Sequence, residues 1–530
     1  MRAKRRQQIQ DRWHKEYRRL SRQVAGGEGD RAEAALRKLV SQHIPDRHLR
    51  ALCHNDLGVA LAVRGADQEA REQFELALAA DSECEAAREN LTCLGHTEEH
   101  RPAPPVLSSS GTGALRIAIL GLLFNWVQET TGGGCAHTVG LGKALAAEGH
   151  EVRHFYARNE EFGVGQVNEP CPLEGEPVDF DRDSWHCEGI KAGFRQAVDS
   201  FSPDLVIVTD TWNFKPHLVQ AMAGYPVWMR FDAQECLCPL NNCRFLIGPQ
   251  DTFSQCQYHQ LATPETCARC LQERGQTSGF LHQAERALSG VGEQHYLATL
   301  RSALQQADLL LANNHLIREM LSPYGREVRA VPPGVDAGRF PWRDEGGPER
   351  QAGEPQVIFM AGVIEEPFKG FGTLHEACAQ LWQRRRDFRL VATGAEPGRR
   401  DEYTEFTGWL SQEALPEHYR AADICVVPSW VQDAWPTVAV EAMAAGRPVV
   451  ASRIGGLQEM IGHGTTGLLR EPGDAEGLAG CLERLLDDTE LRRQMGRQAR
   501  RQFEESGSWE AVMARHYRPL LARVRGGART

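Results

Sequence analysis

Twice along this chain, short and largely apolar runs alternate with segments of helical patterning, and this alternation constrains the fold more than any other feature. The first set opens with Leu115–Leu120, a helical stretch Cys135–Glu148 closed by Gly149, and a second run from Glu151 to Tyr156. It continues through Leu205–Val208, Pro226–Met229, Leu309–Ala312 and Val328–Val331. Apolar runs without polar alternation suit strands buried on both faces, as in a parallel sheet covered by helices. After the polar stretch Arg343–Pro355 the rhythm resumes, with runs at Val357–Ala361, Arg389–Thr393, Ile424–Val427 and Val449–Ser452. Helical patterns near Thr373–Arg385, Leu415–Ala421 and Val438–Ala445 separate them. The expected fold class is α/β: two Rossmann-like doubly wound domains, 115–340 and 341–530, facing a cleft across their carboxyl strand ends.

The chain has 530 residues, too many for one core, and its 41% hydrophobic and 25% charged residues are a globular composition. No apolar run is long enough for a membrane span, and residues 1–22, with nine basic and two acidic side chains, lack the apolar centre of an export signal. The expectation is a cytoplasmic protein; peripheral attachment at the inner membrane face through this basic start is the alternative. Net charge is -11 overall, so general nucleic-acid binding is not expected.

Ahead of the alternating region, residues 51–84 fit the 34-residue tetratricopeptide pattern of two antiparallel helices. Leu57-Gly58, Leu61, Ala70 and Phe74 fall where such helices pack, whereas His54 and Ser82 replace the pattern's tryptophan and proline. Partial repeats flank it at Asp30–Gln42 and Glu85–Leu94. The expected organisation is therefore a helical module over 1–95 and a Pro/Ser/Gly linker over 96–114, followed by the two α/β domains. Fewer than three full repeats rarely stand alone, which points to support from a partner protein or the main body.

The densest motif runs from Asp433 through Trp435-Pro436-Thr437 and Glu441 to Gly446-Arg447-Pro448. Pro436 suits a helix start and Gly446 a helix stop, so Asp433 falls in the preceding loop and Glu441 on the helix. A helix start offers amides to a phosphate, and a carboxylate accepts paired hydrogen bonds from vicinal hydroxyls. With Val331–Asp336, Ala361–Gly370, Ala422-Asp423 through Pro428-Ser429, and Gly455-Gly456 through Leu469, this motif resembles the retaining glycosyltransferases of family 4, which have the GT-B fold.

The resemblance implies a sugar moved from a nucleotide-sugar donor to a sugar, lipid or protein acceptor, with no catalytic cofactor. It makes Lys369, Asp433 and Glu441 the catalytic group. Lys369 would neutralise the diphosphate, Glu441 hold the ribose, and Asp433 stand where the family has a glutamate. The donor-binding set is Gly133, Gly134, Val363, Lys369, Trp435, Pro436, Thr437 and Glu441. Two further departures stand out: Val363 replaces an arginine, and Phe231-Asp232 replaces a His-Asp pair. For Arg230 and Asp232 an ion pair at a strand end is the simplest reading, and His137 reads as a helix-face histidine.

Fifteen cysteines, six of them within 236–270, suggest reduced or metal-bound thiols. Cys238, Cys256, Cys267 and Cys270 are the preferred set for a structural zinc that would pin an insertion over 232–275; free thiols or a disulfide are the alternative. Two other functions compete. One is an interaction protein in which the repeat recruits a partner and the transferase body is degenerate. The other is an epimerase or phosphorylase on the same two-domain plan.

Overall fold

The computed structural model describes 13–91 except 14, 18, 22, 24–28, 41–43, 45, 64–65, 82–83, 85 and 89. It describes 113–525 except 123, 127–132, 168–169, 249–252, 275–279, 343–347, 349, 352, 395–397 and 399. The expected linker, but for residues 113 and 114, and most of the basic start lie outside the described residues. The chain divides into two compact units, Met1–Thr112 and Gly113–Thr530.

The first unit is helical: α1 (Gly29–Val40), α2 (Arg47–Val63) and α3 (Asp67–Ala80). Leu57, Leu61, Ala70 and Phe74 are buried in its core with Leu36 and Leu49. The Phe74 ring occupies the space a β-carbon at position 58 would need, which is why glycine stands there.

In the second unit both expected parallel sheets form. The strands of the first sheet are β1 (Arg116–Gly121), β2 (Glu151–Arg158), β3 (Gly175–Asp179), β4 (Leu205–Val208) and β5 (Val227–Phe231). An antiparallel hairpin, β6 (Phe245–Ile247) and β7 (Phe253–Gln255), interrupts before β8 (Leu309–Ala312) and β9 (Val328–Ala330). The sheet order is β3-β2-β1-β4-β5-β8-β9. The second sheet contains β10 (Gln356–Met360), β11 (Phe388–Ala392), β12 (Thr404–Phe406), β13 (Ile424–Val427), β14 (Val449–Ser452) and β15 (Gly467–Arg470), in the order β12-β11-β10-β13-β14-β15. In each sheet the order reverses between the first strand and its inner neighbour, and that crevice is where such sheets bind ligands. Helix α4 (Gly133–Ala147) starts at the crevice of the first sheet, and α5 (Thr437–Ala444) follows β13 in the second.

The expected boundary at 341–530 needs one correction. The last helices, α6 (Trp509–Val512) and α7 (Arg518–Arg525), lie within that range but pack on the first sheet. Trp509, Val512, Met513, Tyr517, Leu520 and Leu521 share a core with Ile117, Ile119, Leu205 and Trp228. An amphipathic pattern reports that a helix has an apolar face, not which sheet receives it. The chain therefore crosses between domains twice, and the crossings pair: Val335 N donates to Gly507 O at 2.9 Å, and Trp509 N to Val335 O at 3.2 Å.

Arg523 clasps α7 to β9, donating from both guanidinium nitrogens to Glu327 at 2.9 and 2.7 Å. These bonds, with Arg329, lower the Glu327 carboxyl from 4.5 to about 2. A depressed folded-state pKa stabilises above the unfolded value and loses that contribution as pH falls through the folded one. The stability gap between wild type and Glu327→Gln, read by urea unfolding, is expected to be constant above about pH 5 and to vanish near pH 2.

Candidate active site

The carboxyl ends of both sheets open onto one cleft of about 910 Å³. Its walls include Gly133, Gly134, His137 and Asp232 from the first domain, with Val363, Lys369, Asp433, Trp435, Pro436, Thr437 and Glu441 from the second. Every residue expected to contact the donor thus borders this hollow, as do Arg339 between the domains and Trp509 from the returning helix.

Lys369 ends a short turn, Pro367–Lys369, that leads into Gly370 at φ 83°. A β-carbon at position 370 would collide with the Pro428 carbonyl, so only glycine lets the turn press against β13 and aim Lys369 inward. The Lys369 ammonium lies 2.9 Å from Asp433 Oδ2. Burial works against its charge, but Asp433 and Cys243 outweigh this and raise the Lys369 pKa. The lysine therefore stays cationic.

Pro436 precedes α5 and Gly446, at φ 66°, follows it, as the sequence spacing predicts. Glu441 is buried on this helix and accepts from Tyr419 Oη at 3.0 Å and Arg339 Nη1 at 3.4 Å. Burial raises its pKa, an effect partly offset by Arg339 and Tyr419. Sequence reasoning missed Arg339. It sits just beyond the Val331–Asp336 motif and brings a cation to the cleft that Val363 cannot supply. The Trp435 indole Nε1 is buried without a hydrogen-bond partner beside the same space.

On the opposite wall, Phe231 is buried in the core of the first sheet, whereas Asp232 reaches the cleft. The expected Arg230–Asp232 ion pair is present, with Nε donating to Oδ1 at 3.1 Å. Arg230 also donates to Tyr517 Oη at 2.8 Å, Asn313 Oδ1 at 2.6 Å and Val331 O at 3.1 Å. An imidazole stands beside Asp232 after all, contributed by α4 rather than by its chain neighbour: His137 Nδ1 lies 2.5 Å from Asp232 Oδ1. Burial and the Arg230 charge lower the His137 pKa despite Asp232. Burial also works against the Asp232 charge, but His137, Arg230 and Lys215 hold that carboxyl well below its ordinary value.

Among the described residues, no three His, Cys, Asp or Glu side chains are grouped to hold a metal ion, and the structure does not show the expected zinc shell of Cys238, Cys256, Cys267 and Cys270. The described cysteines are free thiols, and burial raises Cys238 to about 11. Contacts with the second domain anchor the insertion. Gln234 Nε2 donates to Gln432 O at 3.1 Å, and Gln432 N donates to Gln255 Oε1 at 3.2 Å. The Phe245 ring lies tilted against Phe368 at a centroid distance of 5.1 Å, and Cys243 Sγ lies 3.8 Å from Asp433 Oδ1. The insertion therefore braces the two loops that carry Lys369 and Asp433.

Residues 354–488 match the family described as Glycosyl transferases group 1. The D-inositol 3-phosphate glycosyltransferase of Pseudarthrobacter chlorophenolicus is 34% identical over 237 residues, 39% of this chain and 56% of that protein. The glycogen synthase of Mycobacterium tuberculosis is 29% identical over 272 residues, 48% of this chain and 62% of that one. The chain thus spans about half the length of the curated relatives it matches. Sucrose-phosphate synthase from Thermosynechococcus elongatus superposes with a TM-score of 0.54 at 20% identity, over 77% of this chain and 99% of that structure. Anabaena HepE, solved with UDP, gives 0.54 at 17%, over 77% and 100%. These two structures establish the fold, GT-B. No helix among the described residues is long and apolar enough to cross a membrane.

Proposed function

We propose that the chain is a retaining glycosyltransferase of family 4 that moves a sugar from a nucleotide-sugar to a sugar, lipid or protein acceptor. One observation carries the reading. A lysine and two carboxylates from the stretch around the matched family region border a single interdomain cleft large enough for a nucleotide-sugar and an acceptor. In this proposal Lys369 exchanges its Asp433 partner for the donor diphosphate and stabilises the charge that grows as the nucleoside diphosphate leaves. Asp433, released, accepts from hydroxyls of the transferred sugar. Glu441, freed from Arg339, takes the ribose hydroxyls, and Arg339 turns to the phosphates in place of the cation missing at Val363. The start of α5 and the Trp435 indole add donors. Closure of the cleft excludes water that would hydrolyse the donor.

The relatives' printed names suggest two acceptor classes, an inositol phosphate and a glucan, and the proposal extends to either. The N-terminal helices serve in it as a tetratricopeptide-like docking module for a protein partner. No step depends on a zinc ion.

A thermal-shift panel of nucleoside diphosphates and nucleotide-sugars tests the reading, because a ligand that binds only the native state raises the melting temperature. At least one nucleotide is expected to do so, and Glu441→Ala is expected to weaken its binding about tenfold or more, as loss of hydrogen bonds to a charged group implies. A panel with no stabilising nucleotide would favour the rival, an interaction protein with a degenerate transferase body.

A further inference from the structure

His137 is tied down at one nitrogen and unpartnered at the other. Its side chain is only 4% exposed, and its ring stacks on Trp509 at a centroid distance of 5.6 Å. Asp232 fixes the tautomer. The carboxylate's Oδ1 receives Arg230 as well as His137, and its Oδ2 accepts from Thr209 Oγ1 at 2.6 Å. An ionised carboxylate can only accept, so the imidazole proton resides on Nδ1 and Nε2 carries the lone pair. That Nε2 is buried with no hydrogen-bond partner, and His137 borders the interdomain cleft. A buried polar atom left unsatisfied costs free energy unless a ligand completes it.

We propose that His137 is a specificity-determining residue whose Nε2 accepts a hydrogen bond from a sugar hydroxyl bound in the cleft, with Asp232 as the positioning residue that keeps this acceptor aimed. The proposal rests on the reading of the chain as a nucleotide-sugar transferase. The hydroxyl belongs to the transferred sugar or to the acceptor, and the two sources give separate readouts. Asn313 supports the arrangement by donating from Nδ2 to the Asp232 carbonyl at 2.7 Å. Trp509 supplies an apolar floor of the kind on which a sugar ring's C–H face packs.

The test uses the full chain with UDP, GDP and ADP and their glucose or mannose conjugates as probes. His137→Phe keeps a ring on Trp509 but removes the acceptor nitrogen, and His137→Gln restores an acceptor at similar reach. Calorimetry reads affinity for each nucleoside diphosphate and its sugar conjugate. Release of the diphosphate, into water alone and with free monosaccharides added, reads turnover. Diphosphate affinity is expected to stay within about twofold of wild type in both variants, because that end is held by the opposite wall. A loss of about tenfold or more in sugar-conjugate affinity for His137→Phe, partly recovered in His137→Gln, assigns the hydroxyl to the donor. Unchanged affinities with a similar loss in turnover assign it to the acceptor. Wild-type affinity and turnover in His137→Phe overturn the proposal, and so does a parallel loss of diphosphate and conjugate affinity, which marks a packing role. Wild-type protein that binds none of the diphosphates sinks the transferase reading itself, a result distinct from either.

Discussion

Lys369→Ala is expected to slow nucleotide-sugar turnover by about 10²–10³-fold, the range seen when one preorganised charge-stabilising group is removed from a transition state. The structure gives the reason for so large an effect. Lys369 is the cation that the Gly370 turn holds against the cleft, and its pairing with Asp433 keeps it charged despite burial. A leaving diphosphate gains charge as the donor bond breaks, so loss of the ammonium acts on the barrier more than on the ground state. Turnover measured beside melting temperature separates this from misfolding: kcat is expected to collapse while the melting temperature moves by only a few degrees. Undiminished turnover in a folded variant would remove Lys369 from the proposed mechanism.

The second large effect is on stability. Arg230→Met is expected to destabilise the chain by about 3–5 kcal/mol, because it strands the buried Asp232 charge and orphans its other partners. Arg230 is fully buried and joins β5 to Asn313 after β8, to the Val331 carbonyl and to Tyr517 beside α7. It thus rivets the returning C-terminal segment to the first sheet. Urea unfolding followed by tryptophan fluorescence measures the loss as a lowered midpoint; a midpoint within experimental error of wild type would show that the network is not cooperative.

Much of this arrangement was legible in the sequence. Both sheets show as apolar runs because strands covered on two faces have no polar side, and β10, read as Val357–Ala361, forms one residue earlier. The helix carrying Glu441 shows through its proline start and glycine stop. The edge strand β3, Gly-Glu-Pro-Val-Asp, does not show, since an edge strand half in solvent needs no apolar run. Linear order does not reveal that α4 delivers His137 to Asp232, because the family pattern places its imidazole at the chain neighbour, which is Phe231 here. Arg339 was missed for a similar reason: a polar residue just past a glycine-rich connection carries no periodic signal. The cysteine spacing suggested a metal shell, yet Gln234, Gln255 and Phe245 anchor the insertion through contacts that have no motif.

Because the chain passes between the domains at Val335 and returns at Ser508 on paired backbone, the two halves are joined by a narrow two-stranded ribbon instead of independent tethers. Trp509, immediately past that ribbon, stacks on His137, so the last stretch of the chain hands its indole back to the first domain's side of the cleft, opposite Lys369.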